Sequence, residues 1–111
     1  MLTTPVQLIT DGDMSGDLSA IQQLKQMFGY SIQAVYTGSP VGTLSLAASN
    51  DYNPNTGVGT WTAIADSSEA ITAAGDGTWN YRGPNYEWVK VIYDATSGTG
   101  VLNVYFNGKG F

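Results

Sequence analysis

The sequence predicts an all-β fold, an antiparallel β-sandwich of the jelly-roll type with about eight strands. Three observations carry this expectation. Turn-forming clusters recur at short intervals. The runs between them are rich in β-branched and aromatic residues. Several of those runs alternate with the period of two that places successive side chains on opposite faces of a sheet. An immunoglobulin-like sandwich is the second choice of topology. At 111 residues the chain suits one domain, residues 1–111, with a single core.

Taken in order, residues 1–10 form a first strand or an N-terminal arm, closed by Asp11-Gly12-Asp13. The segment Asp17 to Met27 is ambiguous. Leu18, Ile21, Leu24 and Met27 fit a helical spacing, but the β character around them favours a strand from Gly16 to Ile21 and then an extended link. Phe28, Tyr30, Ile32, Ala34 and Tyr36 share one face of a strand, opposite Gly29, Ser31 and Gln33. A turn at Thr37-Gly38-Ser39-Pro40 leads to Leu44, Leu46 and Ala48, alternating with Thr43, Ser45 and Ala47. Asn50 to Asn55 is turn chemistry. Ala70 to Ala74 is too short to assign. Further turns stand at Gly75-Asp76-Gly77, Arg82-Gly83-Pro84 and Ser97-Gly98-Thr99-Gly100. Trp88 to Tyr93 is apolar on both faces except at Lys90, as in a central strand or one whose outer face meets another chain. Leu102, Val104 and Phe106 alternate with Val101, Asn103, Tyr105 and Asn107. Ile32, Leu46, Val104 and Phe106 are expected in the core.

Composition narrows the function classes. Charged residues make up only 12% of the chain, about half the usual share, so Ser, Thr, Asn, Gln and Gly must supply the polar surface. Such neutral surfaces suit extracellular or virion proteins that pack against neighbours. The net charge is −5, and the four cations, Lys25, Arg82, Lys90 and Lys109, do not cluster. Nucleic-acid binding needs a track of cations to displace counterions, so neither nucleic acid nor an anionic membrane is an expected partner. With no Cys and no His, a disulfide framework is impossible, and zinc and the commonest general base are both missing. Met1-Leu2-Thr3-Thr4-Pro5 lacks the basic start and apolar run of a signal peptide, which points to synthesis in a cytoplasm without general export.

Candidates for chemistry are few. Asp11, Asp13 and Asp17 crowd one loop, but no acid completes a calcium site, so a turn is preferred. Asp51, Asn53 and Asn55 resemble the start of a calcium loop. Gly57 falls one place late and residue 62 is Thr, so a turn is again preferred. The pairs Asp66/Glu69 and Glu87/Asp94 lack the signature of a glycosidase dyad, and Glu87 and Asp94 have opposite strand parity. No catalytic residue, cofactor or metal is assigned.

Three Trp and seven Tyr carry more weight. Trp61, Trp79 and Trp88 are expected in the core, although rings after turn-rich segments can also stack on sugars. Tyr52, Tyr81, Tyr86 and Tyr105 are the surface candidates for glycan or subunit contacts. Arg82 joins them, and so does Val91, taken as the outer face of its strand.

The order Gly29-Tyr30-Ser31-Ile32-Gln33-Ala34-Val35-Tyr36-Thr37-Gly38, then Gly42 to Asp51, Trp61-Thr62-Ala63-Ile64, Tyr86 to Tyr93 and Ser97 to Val104, resembles a group of small bacteriophage virion proteins of about this length. The blocks Ala48-Ser49-Asn50-Asp51 and Trp61-Thr62-Ala63-Ile64 are also similar to the discoidin-type sandwich, a jelly roll that often binds glycans or lipids through its end loops. Here the intervening loop, Tyr52 to Thr60, is longer and the family's usual disulfide is absent, which puts those binding loops in doubt. The resemblance implies a non-enzymatic protein on the surface of a virion, decorating or cementing the capsid. It implies a homo-oligomer, taken as a trimer at local three-fold positions, that contacts the major capsid protein or other virion proteins. The alternative is a receptor- or glycan-binding module of a phage spike or tail fibre, with a host glycan as partner. A bacterial surface adhesin comes third, because the signal peptide is missing.

Overall fold

A computed structural model describes residues 2–24, 27–82 and 86–110. Lys25, the Gly83-Pro84 turn and the side chains of Met27 and Phe28 lie outside the described residues. The strands are β1 (Leu2–Asp13), β2 (Leu18–Gln23), β3 (Met27–Gly38), β4 (Val41–Ser49), β5 (Thr62–Ala63), β6 (Glu69–Ile71), β7 (Gly75–Arg82), β8 (Trp88–Ser97) and β9 (Gly100–Gly110). They form two sheets, in the order β1-β9-β3-β7 and β2-β8-β4-β5, with β6 also pairing β4. Every pairing between strands is antiparallel.

This is the jelly-roll order, with β5 and β6 sharing one position on the free edge of β4. Their split has a local cause. β5 pairs Ala47 and Ala48, and β6 pairs Gly42 to Leu44. Leu46 lies in the gap. There the Ile64 N–H donates to the Leu46 carbonyl at 2.9 Å, and the buried Ser67 hydroxyl bonds both the Leu46 N–H and its carbonyl. One serine thus does for Leu46 what a continuous strand would have done.

The ambiguous segment resolves as strand. Leu18 to Gln23 pairs in register with Tyr93 to Trp88, so β8 supplies the ladder that overrides the helical spacing. β1 carries two irregularities, between Gln7 and Ile9 and between Ile9 and Gly12, and Asp11 sits there at φ 49°.

The core lies between the sheets. Tyr30, Ile32, Ala34 and Tyr36 of β3 face inward with Leu102, Val104 and Phe106 of β9 and Trp79 of β7. Leu44 and Leu46 of β4 and Val89, Val91 and Tyr93 of β8 meet them from the other sheet. Full burial of each large apolar side chain contributes roughly 1.5–3 kcal/mol. Tyr93 pairs with Leu44 and its ring reaches over the diagonal position, which is small: a Cβ on Gly42 would stand 2.8 Å from the Tyr93 hydroxyl.

Candidate functional site

With the interior filled by side chains, the two outer sheet faces and the loops are what the chain presents. Strand parity sorts β8: Val89, Val91 and Tyr93 are buried, whereas Trp88, Lys90 and Ile92 are half-buried and point away from the core. The placement of Val91 at a contact is therefore corrected. It shares parity with Tyr93, pairs with the buried Leu46 and is 1% exposed. The outer face of the strand belongs to Lys90 and its even-numbered neighbours.

Two of the three tryptophans are also corrected. Trp79 is core. Trp88 and Trp61 are half-buried on the outer side of the second sheet, where Tyr52 joins them. Tyr52 lies 5.3 Å from Trp61 and 5.0 Å from Trp88 between ring centroids. Lys90 Nζ stands 5.2 Å from the centre of the Trp61 ring, in cation–π range. Gln23, opposite Trp88 in the ladder, donates to Glu87 at 2.7 Å.

The loop between β4 and β5 holds this cluster in place. Asp51 Oδ1 accepts from Thr60 N and from Ser49 Oγ, both at 2.8 Å. Those bonds, first to the Thr60 N–H and then to Ser49, hold the Asp51 carboxyl below its ordinary range. Asn50 Oδ1 accepts from Glu87 N at 2.8 Å, tying the loop to the start of β8. Asn53 closes the tip through Asn55 N on its side chain and through Gly57 N and Val58 O on its backbone. A Cβ on Gly59 would come 2.6 Å from Tyr52 Cα, so only glycine lets the returning chain pass so close. The Asp51 and Asn53 oxygens are thus engaged in turn hydrogen bonds.

Tyr81 and Tyr86 converge elsewhere, around Tyr30 at one end of the sandwich. Tyr30 lies 5.4 Å from Tyr81, 6.4 Å from Tyr86 and 5.8 Å from Phe106. The Tyr30 and Tyr86 hydroxyls are hydrogen-bonded at 2.5 Å, and burial first, then that bond, drives the Tyr30 pKa up. Arg82 is exposed and lines, with Tyr81 and Lys109, a cleft of about 730 Å³.

Tyr105 is 41% exposed on the outer face of the first sheet. The register sets it in a cross-strand row with Gln7, Gln33 and Thr78, next to a row holding Asn107, Ser31 and Asn80. Neither row carries a charge. A groove of about 330 Å³ runs beside Tyr105, Gln7, Gln33 and Asn107. Asn107 Oδ1 is buried and meets no donor among the described residues.

The acids of the first loop act singly. Asp13 accepts from Ser15 N at 3.0 Å, which lowers its pKa, and Asp17 accepts from Ala95 N at 2.8 Å. Among the described residues no group of three or more acids is placed to hold a metal ion. The structure therefore distributes the sequence candidates over three places: Tyr52 on the second sheet, Tyr81, Tyr86 and Arg82 at one end, and Tyr105 on the first sheet. It adds Trp61 and Trp88, whose signal was the parity they share with Lys90 and Ala63 across the ladder.

No protein-family model matches the chain, and no curated protein matches it either. Solved structures match it in fold. The SPBc2 prophage-derived protein YomS is similar at TM-score 0.56 and 9% identity, over 95% of this chain and 92% of that one. A chain of the Bacillus endospore appendages, which form disulfide-linked pili, is similar at TM-score 0.50 and 13% identity, over 99% and 88%. The CBM22-1–GH10 part of a Clostridium thermocellum endo-1,4-β-D-xylanase 10B, complexed with xylohexaose, is similar at TM-score 0.50 and 14% identity, over 97% of this chain and 26% of that one. At these identities the shared property is the β-sandwich.

Proposed function

We propose that this chain is a non-catalytic structural protein of a virus particle that decorates or cements the capsid as a homo-oligomer. The observation that carries the reading is the uncharged outer face of the first sheet around Tyr105. A chain of net charge −5 repels its own copies unless its acids stay away from the contact. Here Gln7, Tyr105, Gln33 and Thr78, and Asn107, Ser31 and Asn80, form two charge-free rows. Tyr105 supplies the apolar area, with Val101 38% exposed four residues back along the same strand, and the amides supply hydrogen bonds around Tyr105.

The virion setting comes from the sequence resemblance, and the likeness to a prophage-derived protein agrees with it. The mechanism is mechanical. A trimer that touches several coat subunits at once converts weak single contacts into firm attachment through effective concentration. The test is reconstitution. Purified chain is added to particles lacking it, and the pellet is weighed after sedimentation. Saturable binding at a fixed copy number per particle supports the reading. Protein that stays in the supernatant at every concentration contradicts it.

A further inference from the structure

We propose that the Tyr52–Trp61–Trp88 cluster on the outer face of the second sheet is a binding site for neutral oligosaccharides. The proposal does not depend on the assembly reading, which uses the opposite sheet.

The Trp61 and Trp88 rings lie 5.3 and 5.0 Å from the Tyr52 ring, and each of the three keeps part of its surface in solvent. Hydrogen-bonding groups surround them. Glu87 accepts one bond from Gln23 at Oε1 and has a second carboxylate oxygen, Gln23 carries its side-chain Oε1 as an acceptor, and Lys90 carries three donors over Trp61. A pyranose presents this same pairing, an apolar face of C–H groups edged by hydroxyls that both donate and accept. An apolar peptide would leave the charged groups at the rim unpaired on desolvation. A nucleic acid strand would also stack on the rings, but it needs a line of cations, and among the described residues Lys90 is the one cation set against these rings, with the Glu87 carboxylate next to Trp88 in the chain. The same balance of charges favours neutral sugars over polyanionic ones.

The site is preformed. Tyr52 is held by hydrogen bonds on both sides, at Asp51 and at Asn53, and packed against Gly59. Trp61 stands between Thr60, bound to Asp51, and Thr62, paired with Ala48 in the ladder. Trp88 is fixed by β8, whose first residues pair on both sides. Rigid aromatic side chains lose little entropy on binding, which is what a weakly interacting ligand requires.

The experiment uses the indole N–H signals of the three tryptophans in a nuclear magnetic resonance spectrum of the whole chain. The probes are cellohexaose, xylohexaose, mannohexaose and chitohexaose, titrated to millimolar concentration. At least one is expected to shift the Trp61 and Trp88 signals while the Trp79 signal, buried and bonded to Ser67, stays in place. Trp88→Ala is expected to weaken that binding at least tenfold, with an unmoved Trp79 signal certifying the fold. Trp61→Ala gives the second variant should Trp88→Ala fail to fold. Absence of any shift with all four sugars overturns the proposal. So does a shift of Trp61 and Trp88 that follows protein concentration alone, which would make this face a contact between copies. Either failure leaves the particle-binding result untouched.

Discussion

The indole Nε1 of Trp79 donates to the Ser67 carbonyl at 3.0 Å, and so ties β7 of the first sheet to the edge of the second. The Ser67 hydroxyl then accepts from the Leu46 N–H at 3.1 Å. Both groups are buried, so removing the hydroxyl strands the backbone of β4. Ser67→Ala should lower stability by about 1–3 kcal/mol in urea unfolding. An unchanged midpoint would show that β5 and β6 are held without it.

Phe106 is 1% exposed and stacks on Tyr30, so Phe106→Ala should cost about 3–5 kcal/mol. Val91→Asp separates two accounts of β8. Placed in the core, the new carboxylate should unfold the protein, seen as loss of cooperative thermal melting. A folded Val91→Asp variant that had lost only its partners would return Val91 to the surface.

Tyr93 is fully buried and its hydroxyl meets no partner among the described residues. Burial, then the nearby Asp17, raises its pKa. Tyr93→Phe should therefore leave the melting temperature unchanged or raised, since it deletes a desolvated polar group and keeps the ring. A clear loss of stability would mean that the hydroxyl is bonded after all.

The alternating runs made the core legible. Ile32, Leu46, Val104 and Phe106 point inward as their spacing requires, and the strand order follows the jelly roll. What the sequence hid depended on contacts between distant segments. Leu18 to Gln23 becomes strand only because β8 is there to pair with it. The division of β5 from β6 rests on one serine hydroxyl. Trp61 and Trp88 were assigned inward by size, since large rings usually fill cores. The parity of Lys90 placed Trp88 outside, and the same parity rule would have kept Val91 in.

The Asp51 carboxyl titrates below the ordinary aspartate value of 3.8 because Thr60 N–H and Ser49 bond its charged form. With its folded pKa depressed, Asp51 stabilises the loop above the unfolded value, and that contribution disappears as pH falls through the folded pKa. Tryptophan fluorescence should therefore change on acidification below pH 3.8, where Tyr52 loosens from Trp61 and Trp88. Asp51→Asn should remove that step. A transition that persists unchanged in the variant would assign it to another acid.

The central claim is that the uncharged face around Tyr105 joins copies of the chain. Sedimentation of the wild type and of Tyr105→Asp tests it most directly, because a charge at the middle of that face should be costly only if a neighbour covers it. The account expects a defined oligomer for the wild type and a folded monomer for the variant. A wild type that sediments as a monomer at every concentration would contradict it, as would a variant that assembles as well as its parent.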